Sequence, residues 1–205
     1  MTKDRTQDKR QRILDAALKI FARRGFYTAK VAEVAREAGV ADGTIYLYFA
    51  NKDDLLISLF EDRMDFLIAR LTDELAQAGT SVHDRFRALI RVHLRLAIES
   101  PDLAEFITVE LRQSGKFVKE YGNPKFQAYL GLLYEVVDEG QRTGHFRSTL
   151  HARTVVRAMF GALDEILLTL TLRSATDERD IERATNDLAS LFLHGLDTRE
   201  GASAP

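Results

Sequence analysis

The chain has 205 residues, 45% of them hydrophobic, a formal net charge of −2 and no cysteine. That is enough apolar material for one or two compact domains, and it excludes a disulfide framework and thiolate chemistry. No apolar run is long enough to span a bilayer, and the charged start MTKDRTQDKRQRIL has no signal-like apolar core. A soluble, cytoplasmic protein is expected.

Helical spacing dominates, with no alternating strand-like runs and no repeats. The first helix is predicted over Gln7 to Arg24, with Ile13, Ala16, Ala17, Ile20 and Phe21 on its apolar face. In the second, Val31, Val34, Ala35 and Ala38 fall at i, i+3, i+4 and i+7. Gly39 follows where a left-handed residue closes a helix. Asp42 is a candidate N-cap for the third helix, and Ile45 and Phe49 should face inward from it. Gly43, Thr44, Tyr46, Leu47 and Tyr48 are then left on its front and sides. Asn51 caps a fourth helix, with Asp53 and Asp54 in its favourable first turn and Lys52 beside the cap.

Two short helices joined by a tight glycine corner read as a helix-turn-helix, whose second helix enters the DNA major groove. Such corners also occur in helical proteins that never touch DNA. The run IYLYF is harder to explain by packing, because a one-sided helix has no core use for both Tyr46 and Tyr48. Tyrosine hydroxyls donate well to phosphate oxygens. Charge points the same way. Residues 1–52 hold eleven Lys/Arg against six Asp/Glu, a balance of +5 that leaves −7 on the remainder. A basic head on an acidic body suits phosphate contact, although a solvated N-terminal helix explains its basic residues one by one.

The fourth helix should run from Lys52 to about Ala78, with Leu55, Leu59, Met64, Phe66, Leu67 and Leu71 available for packing. A fifth, Val82 to Glu99, carries Phe86, Leu89, Ile90, His93, Leu94 and Ala97 on one stripe. Ser100-Pro101 restarts a sixth helix as N-cap and N1 proline, running to Gln113. Residues 114–123 read as irregular. Pro124 opens a seventh helix through Asp138, an apolar eighth spans Leu150 to Arg173, and Asp177 caps a ninth to His194. The fold class is therefore all-α, about nine helices. The division expected is a three-helix head over 1–52, a helical body over 53–197 and a disordered tail over 198–205.

The elements VAEVAREAGVADGTIYLYF and NKDDLL, with Gly25-Phe26 closing the first helix, resemble the TetR family of one-component bacterial repressors. The resemblance implies DNA contacts from Lys30, Ala41, Asp42, Gly43, Thr44, Tyr46, Tyr48 and Lys52. Gly43, Thr44 and Tyr46 would approach bases or backbone, and Tyr48 and Lys52 would hold phosphates. The chain departs from the family where a Thr or Ser usually caps the second helix. Ala29 and Lys30 stand there, leaving Thr28 as an early cap or Lys30 as a substitute phosphate contact.

Three segments, VADGTIYLYFANKDDLLISLFEDRM, VELRQSG at Val109–Gly115 and MFGALDE at Met159–Glu165, are similar to the fatty-acid-degradation regulators within that family. This implies repression of fatty-acid-degradation genes from a palindromic operator in double-stranded DNA, with release by long-chain acyl-CoA as effector. It also implies a homodimer built by the last two helices, no cofactor and no membrane contact. The implied ligand residues are His93, Leu94, Phe106, Val109, Arg112, Lys116, Tyr129, Leu132, Leu133, Val136 and Phe160. A fully packed core fits the apolar members equally well, and a solvated loop fits the cluster of Arg112, Lys116, Lys119 and Lys125.

Two other readings stay open. One is a regulator of the same type answering another hydrophobic molecule. The other is an all-α enzyme, which the residues disfavour: none of the five histidines lies in Glu-x-x-His or His-Glu-x-x-His spacing, and no G-x-S-x-G or P-loop occurs. No metal site and no catalytic residue are expected. His93 on an apolar stripe reads first as a core histidine bonded to a neighbour.

Overall fold

The computed structural model describes residues 2–110 and 124–197. The helices are α1 (Thr2–Arg24), α2 (Val31–Glu37), α3 (Asp42–Ile45), α4 (Lys52–Gln77), α5 (Val82–Leu94), α6 (Leu96–Glu99) and α7 (Pro101–Glu105). A π-helical turn, Phe106–Glu110, continues α7. Then come α8 (Pro124–Arg142), α9 (Ala152–Thr171) and α10 (Glu178–Leu196). Among the described residues there is no β-strand, and a lone antiparallel bridge joins Phe146 to Asp197. The architecture is all-α with an N-terminal helix-turn-helix.

The nine helices expected account for all of these segments. The fifth is interrupted at Arg95, and the sixth gains the π-helical turn. The seventh runs on to Arg142 rather than ending near Asp138. Gly140 lies inside it, and Gly144, at φ +77°, closes it. The irregular stretch and the C-terminal tail expected at 114–123 and 198–205 lie outside the described residues.

The chain forms two compact units. The first gathers the described residues within Met1–Asp65 and Ser100–Asn123. In it α1 packs against α2, α7 and the π-helical turn, and α2 against α3. Its core holds Ile13, Leu14, Ala17 and Phe21 of α1, Val34 and Ala35 of α2, Ile45 of α3, and Leu55, Leu56 and Leu59 of α4. Buried Thr108 donates its hydroxyl to the Ala104 carbonyl at 2.7 Å.

The second unit gathers the described residues within Phe66–Glu99 and Pro124–Pro205. Its centre is α5, which packs against α8, α9 and α10. Helix α5 buries eight residues on nearly every side, from Val82 through Phe86 and Leu89 to Leu94, because three helices surround it. Ser81 caps it through Asp84 N–H, and Asp177 caps α10 through Asp180 N–H at 3.1 Å. Arg95, at the break after α5, ties Glu99 and Glu178, each at 2.6 Å. Phe66, expected to pack, is 49% exposed, while Leu56 and Phe60 of the same helix are buried.

Candidate nucleic-acid interface

The corner between α2 and α3 is built by Gly39. Its φ of +66° is strained for residues with a Cβ, and the helix before it closes with the Ala38 and Gly39 N–H groups bonded back to Val34 and Arg36. Helix α3 starts one residue earlier than expected. Ala41 is its N-cap, with extended backbone and no side-chain bond, and Asp42 is the first helical residue. The Asp42 carboxylate therefore sits in the first turn, where it favours the helix dipole, and does not cap. Helical hydrogen bonding continues as turns through Phe49, whose N–H reaches the Ile45 carbonyl at 3.0 Å.

Ile45 and Phe49 are 1% exposed. Their burial turns the other faces outward. Ala41, Asp42 and Gly43 are exposed, Tyr46 is 57% exposed, and Thr44 and Tyr48 are half-buried. Space around Gly43 is open, with nothing near the position a Cβ would take. The Tyr48 ring leans on Phe49 with centroids 6.4 Å apart, which steadies it at the edge of the core.

Helix α2 begins without its usual side-chain cap. Lys30 occupies the N-cap position in extended conformation, and Ala29 is buried. Thr28 does not cap one residue early. Instead Glu33 reaches back and accepts from the Lys30 N–H at 2.9 Å. That backbone bond, with Arg24 and Arg36 nearby, holds the Glu33 carboxyl below its ordinary value. The Lys30 side chain is thereby left exposed.

Asn51 caps helix α4: its Oδ1 accepts from Asp54 N–H at 2.9 Å, while the Asp54 carboxylate accepts from Ala50 N–H at 2.7 Å. Lys52 follows. Its Nζ donates to the Tyr27 carbonyl at 3.1 Å and lies 4.7 Å from the centre of the Phe26 ring. Burial holds the Lys52 ammonium below its ordinary value, against the pull of Asp53 and Glu33. Leu47, 81% exposed beside Tyr46, stands outward as expected, while one exposed side chain escaped the sequence reading: Tyr27, 66% exposed in the turn after α1. The clue to Tyr27 was its place between buried Phe26 and the Lys52 contact, which is tertiary.

The expected ligand residues divide between the units. His93 and Leu94 of α5, Tyr129, Leu132, Leu133 and Val136 of α8, and Phe160 of α9 belong to the second unit. Among them His93, Tyr129 and Phe160 meet. His93 Nδ1 lies 2.6 Å from Tyr129 Oη, and the Phe160 ring is 6.1 Å from His93 and 6.3 Å from Tyr129. Leu94, Leu133 and Val136 are fully buried, Leu132 partly. Burial pushes His93 down to about 4 and Tyr129 up from its ordinary value. His93 Nε2 is buried with no hydrogen-bond partner. Phe106, buried, and Val109, partly buried, stand in the π-helical turn of the first unit. Arg112 and Lys116 lie outside the described residues, as does Lys119.

Helices α9 and α10 present an apolar groove of about 500 Å³, lined by Leu150, Val155, Ala158, Leu191 and Leu196. Leu191 is 68% exposed there. Among the described residues no cluster of His, Asp or Glu could hold a metal ion, and no helix is long and apolar enough to cross a membrane.

A helix-turn-helix with an outward tyrosine-bearing face, carried by an otherwise helical chain, defines a class of DNA-binding regulators. Residues 13–59 match the family model of bacterial regulatory proteins of the tetR family, and residues 60–195 match that of the C-terminal region of YsiA-like proteins. The chain belongs to the TetR family of transcriptional regulators. It is similar to the fatty acid metabolism regulator protein of Bacillus subtilis (strain 168), with 32% identity over 188 residues, 92% of this chain and 95% of that one. Two solved structures are similar throughout. The fatty acid degradation regulator FadR from Bacillus halodurans is 35% identical with a TM-score of 0.81, covering 91% of this chain and 98% of that chain. FadR from Bacillus subtilis in complex with stearoyl-CoA is 32% identical with a TM-score of 0.82, covering 90% and 98%.

Proposed function

We propose that this regulator represses fatty-acid-degradation genes from a palindromic operator and is released when its C-terminal part binds long-chain acyl-CoA. The observation that carries this reading is the likeness, over nine-tenths of the chain, to a regulator solved with stearoyl-CoA. Residues 1–52 form the DNA-binding domain and residues 53–197 the ligand-binding and dimerisation domain. Lys30, Ala41, Asp42, Gly43, Thr44, Tyr46, Tyr48 and Lys52 make the DNA contacts, with Tyr48 and Lys52 on phosphates. The exposure of Tyr46 and the half-buried position of Tyr48 support phosphate contact, which positions a protein without reading bases.

The acyl chain occupies the region of His93, Leu94, Tyr129, Leu132, Leu133, Val136 and Phe160. Each buried methylene adds about 0.8 kcal/mol. The protein works in the cytoplasm as a two-fold dimer, each copy reading one half-site. The exposed Leu191 and the apolar groove on α9 and α10 support pairing through those helices.

Ligand and DNA oppose each other reciprocally through one conformational equilibrium. A gel shift with operator DNA and rising stearoyl-CoA tests this. Release of the DNA at saturating ligand is expected, and unchanged operator affinity refutes it. Native mass spectrometry of the purified protein identifies the ligand independently.

A further inference from the structure

Helices α8 and α9 frame a polar groove of about 510 Å³. Its lining includes Arg153 and Arg157 of α9 and Gln127 and Tyr134 of α8. The two arginines are four residues apart, so they stand on one face of α9. Both are exposed, and neither forms an ion pair among the described residues. Several arginines of this unit are paired, among them Arg70 with Glu99, Arg85 with Glu139, Arg95 with Glu99 and Glu178, and Arg142 with Asp138. Two neighbouring guanidinium groups with no ion-pair partner among the described residues, on an acidic body, form a local anion site suited to bidentate phosphate contact.

A chain of aromatic contacts leads from Arg157 to His93. The Arg157 guanidinium lies 5.9 Å from the centre of the Phe126 ring. Phe126 meets Phe160 edge-on at 5.0 Å, and Phe160 meets His93 edge-on at 6.1 Å. At the inner end His93 Nε2 lacks a partner. A neutral imidazole carries one N–H. If it were on Nδ1, the Tyr129 proton and the Nε2 lone pair would both go unmatched. With Tyr129 O–H donating to Nδ1, only the Nε2–H is unmatched, and an acceptor entering the site would satisfy it.

Resting on the acyl-CoA reading, we infer that Arg153 and Arg157 hold the phosphates of the CoA head, with the thioester carbonyl directed inward to His93 Nε2–H. The arrangement fits a molecule that is polyanionic at one end, carries one neutral acceptor and is apolar beyond it. Phosphates stay in the wet groove and need no burial.

Calorimetric titration of the wild-type protein and R153Q/R157Q with stearoyl-CoA and with stearate tests the assignment. Both arginines are exposed, so the double variant keeps its fold, checked by its melting curve. Loss of two charge-assisted contacts should weaken stearoyl-CoA about tenfold or more, leave stearate unchanged, and flatten the salt dependence of stearoyl-CoA binding. R153K/R157K should recover part of the loss. Equal stearoyl-CoA affinity in wild type and R153Q/R157Q overturns the inference and leaves the acyl-CoA reading standing. An equal loss for stearate also overturns it, because the arginines would then act on the pocket and not on phosphate. Failure of the wild-type protein to bind stearoyl-CoA overturns the reading beneath it.

Discussion

The Lys52 ammonium donates to the carbonyl of Tyr27, tying the first turn of α4 to the turn that follows α1. A lysine expected to reach only for DNA thus also braces the scaffold that presents α3. The Phe26 ring beneath it supplies a further cation–π contact.

K52M separates the two duties. If Nζ also holds a phosphate, the slope of log affinity against log salt falls by about one. Fluorescence anisotropy on labelled operator across a salt series measures it. A fall in affinity with the slope unchanged would assign Lys52 to bracing alone.

Tyr46→Phe removes one hydroxyl from a side chain that is 57% exposed. Stability should not change, and DNA affinity should drop several-fold, about 1 kcal/mol. The same drop is expected on operator and on unrelated DNA, because a phosphate contact carries no sequence information. A loss confined to the operator would make Tyr46 a base reader.

His93 gives a dependence on pH. Burial pushes its pKa from 6.5 down to about 4, so in that window the unfolded chain takes up a proton that the folded chain refuses. Its contribution is complete above pH 6.5 and is lost as the solution is acidified towards pH 4, by about 3 kcal/mol at the acid end. Urea unfolding at pH 7 and pH 5 should show a smaller acid loss in His93→Gln than in wild type. Equal losses would show that the imidazole protonates freely in the native state.

Gly140 faces the Phe146 ring so closely that an added Cβ would overlap it. Phe146 is buried, and its N–H is held by the Gly140 carbonyl at 2.8 Å, so the ring cannot retreat without losing that bond. Gly140→Ala should destabilise by about 1–3 kcal/mol through overpacking, outweighing the better helix propensity of alanine. Chemical denaturation checks it.

What could be read beforehand follows from how local each feature is. The Gly39 corner, the Asn51 cap, the Ser100-Pro101 restart and the Asp177 cap were legible because a few adjacent residues decide them. The buried pair Ile45 and Phe49 was legible from spacing. Ala41 displaced Asp42 as N-cap by one register step, a difference propensity does not resolve. The π-helical turn after Glu105 leaves no periodic mark in five residues. Phe66 looked like core because an apolar residue on a long helix does not announce which sides have neighbours. The union of Lys52 with Tyr27, and of His93 with Tyr129, joins residues distant in the chain. For His93 the stripe foretold a neighbour but could not say which. Arg153 and Arg157 were passed over because charge on a helix surface is ordinary until its pairing is known.

Gly39 has a longer reach than its size. Because the bend is set by an achiral residue, and the inward anchors are Ile45 and Phe49, the angle of the corner owes nothing to the side chains that point away from it. Frame and lettering are separable: the exposed positions 42, 43, 46 and 47 form a cassette that can be rewritten for a new target while the hinge that carries it stays the same.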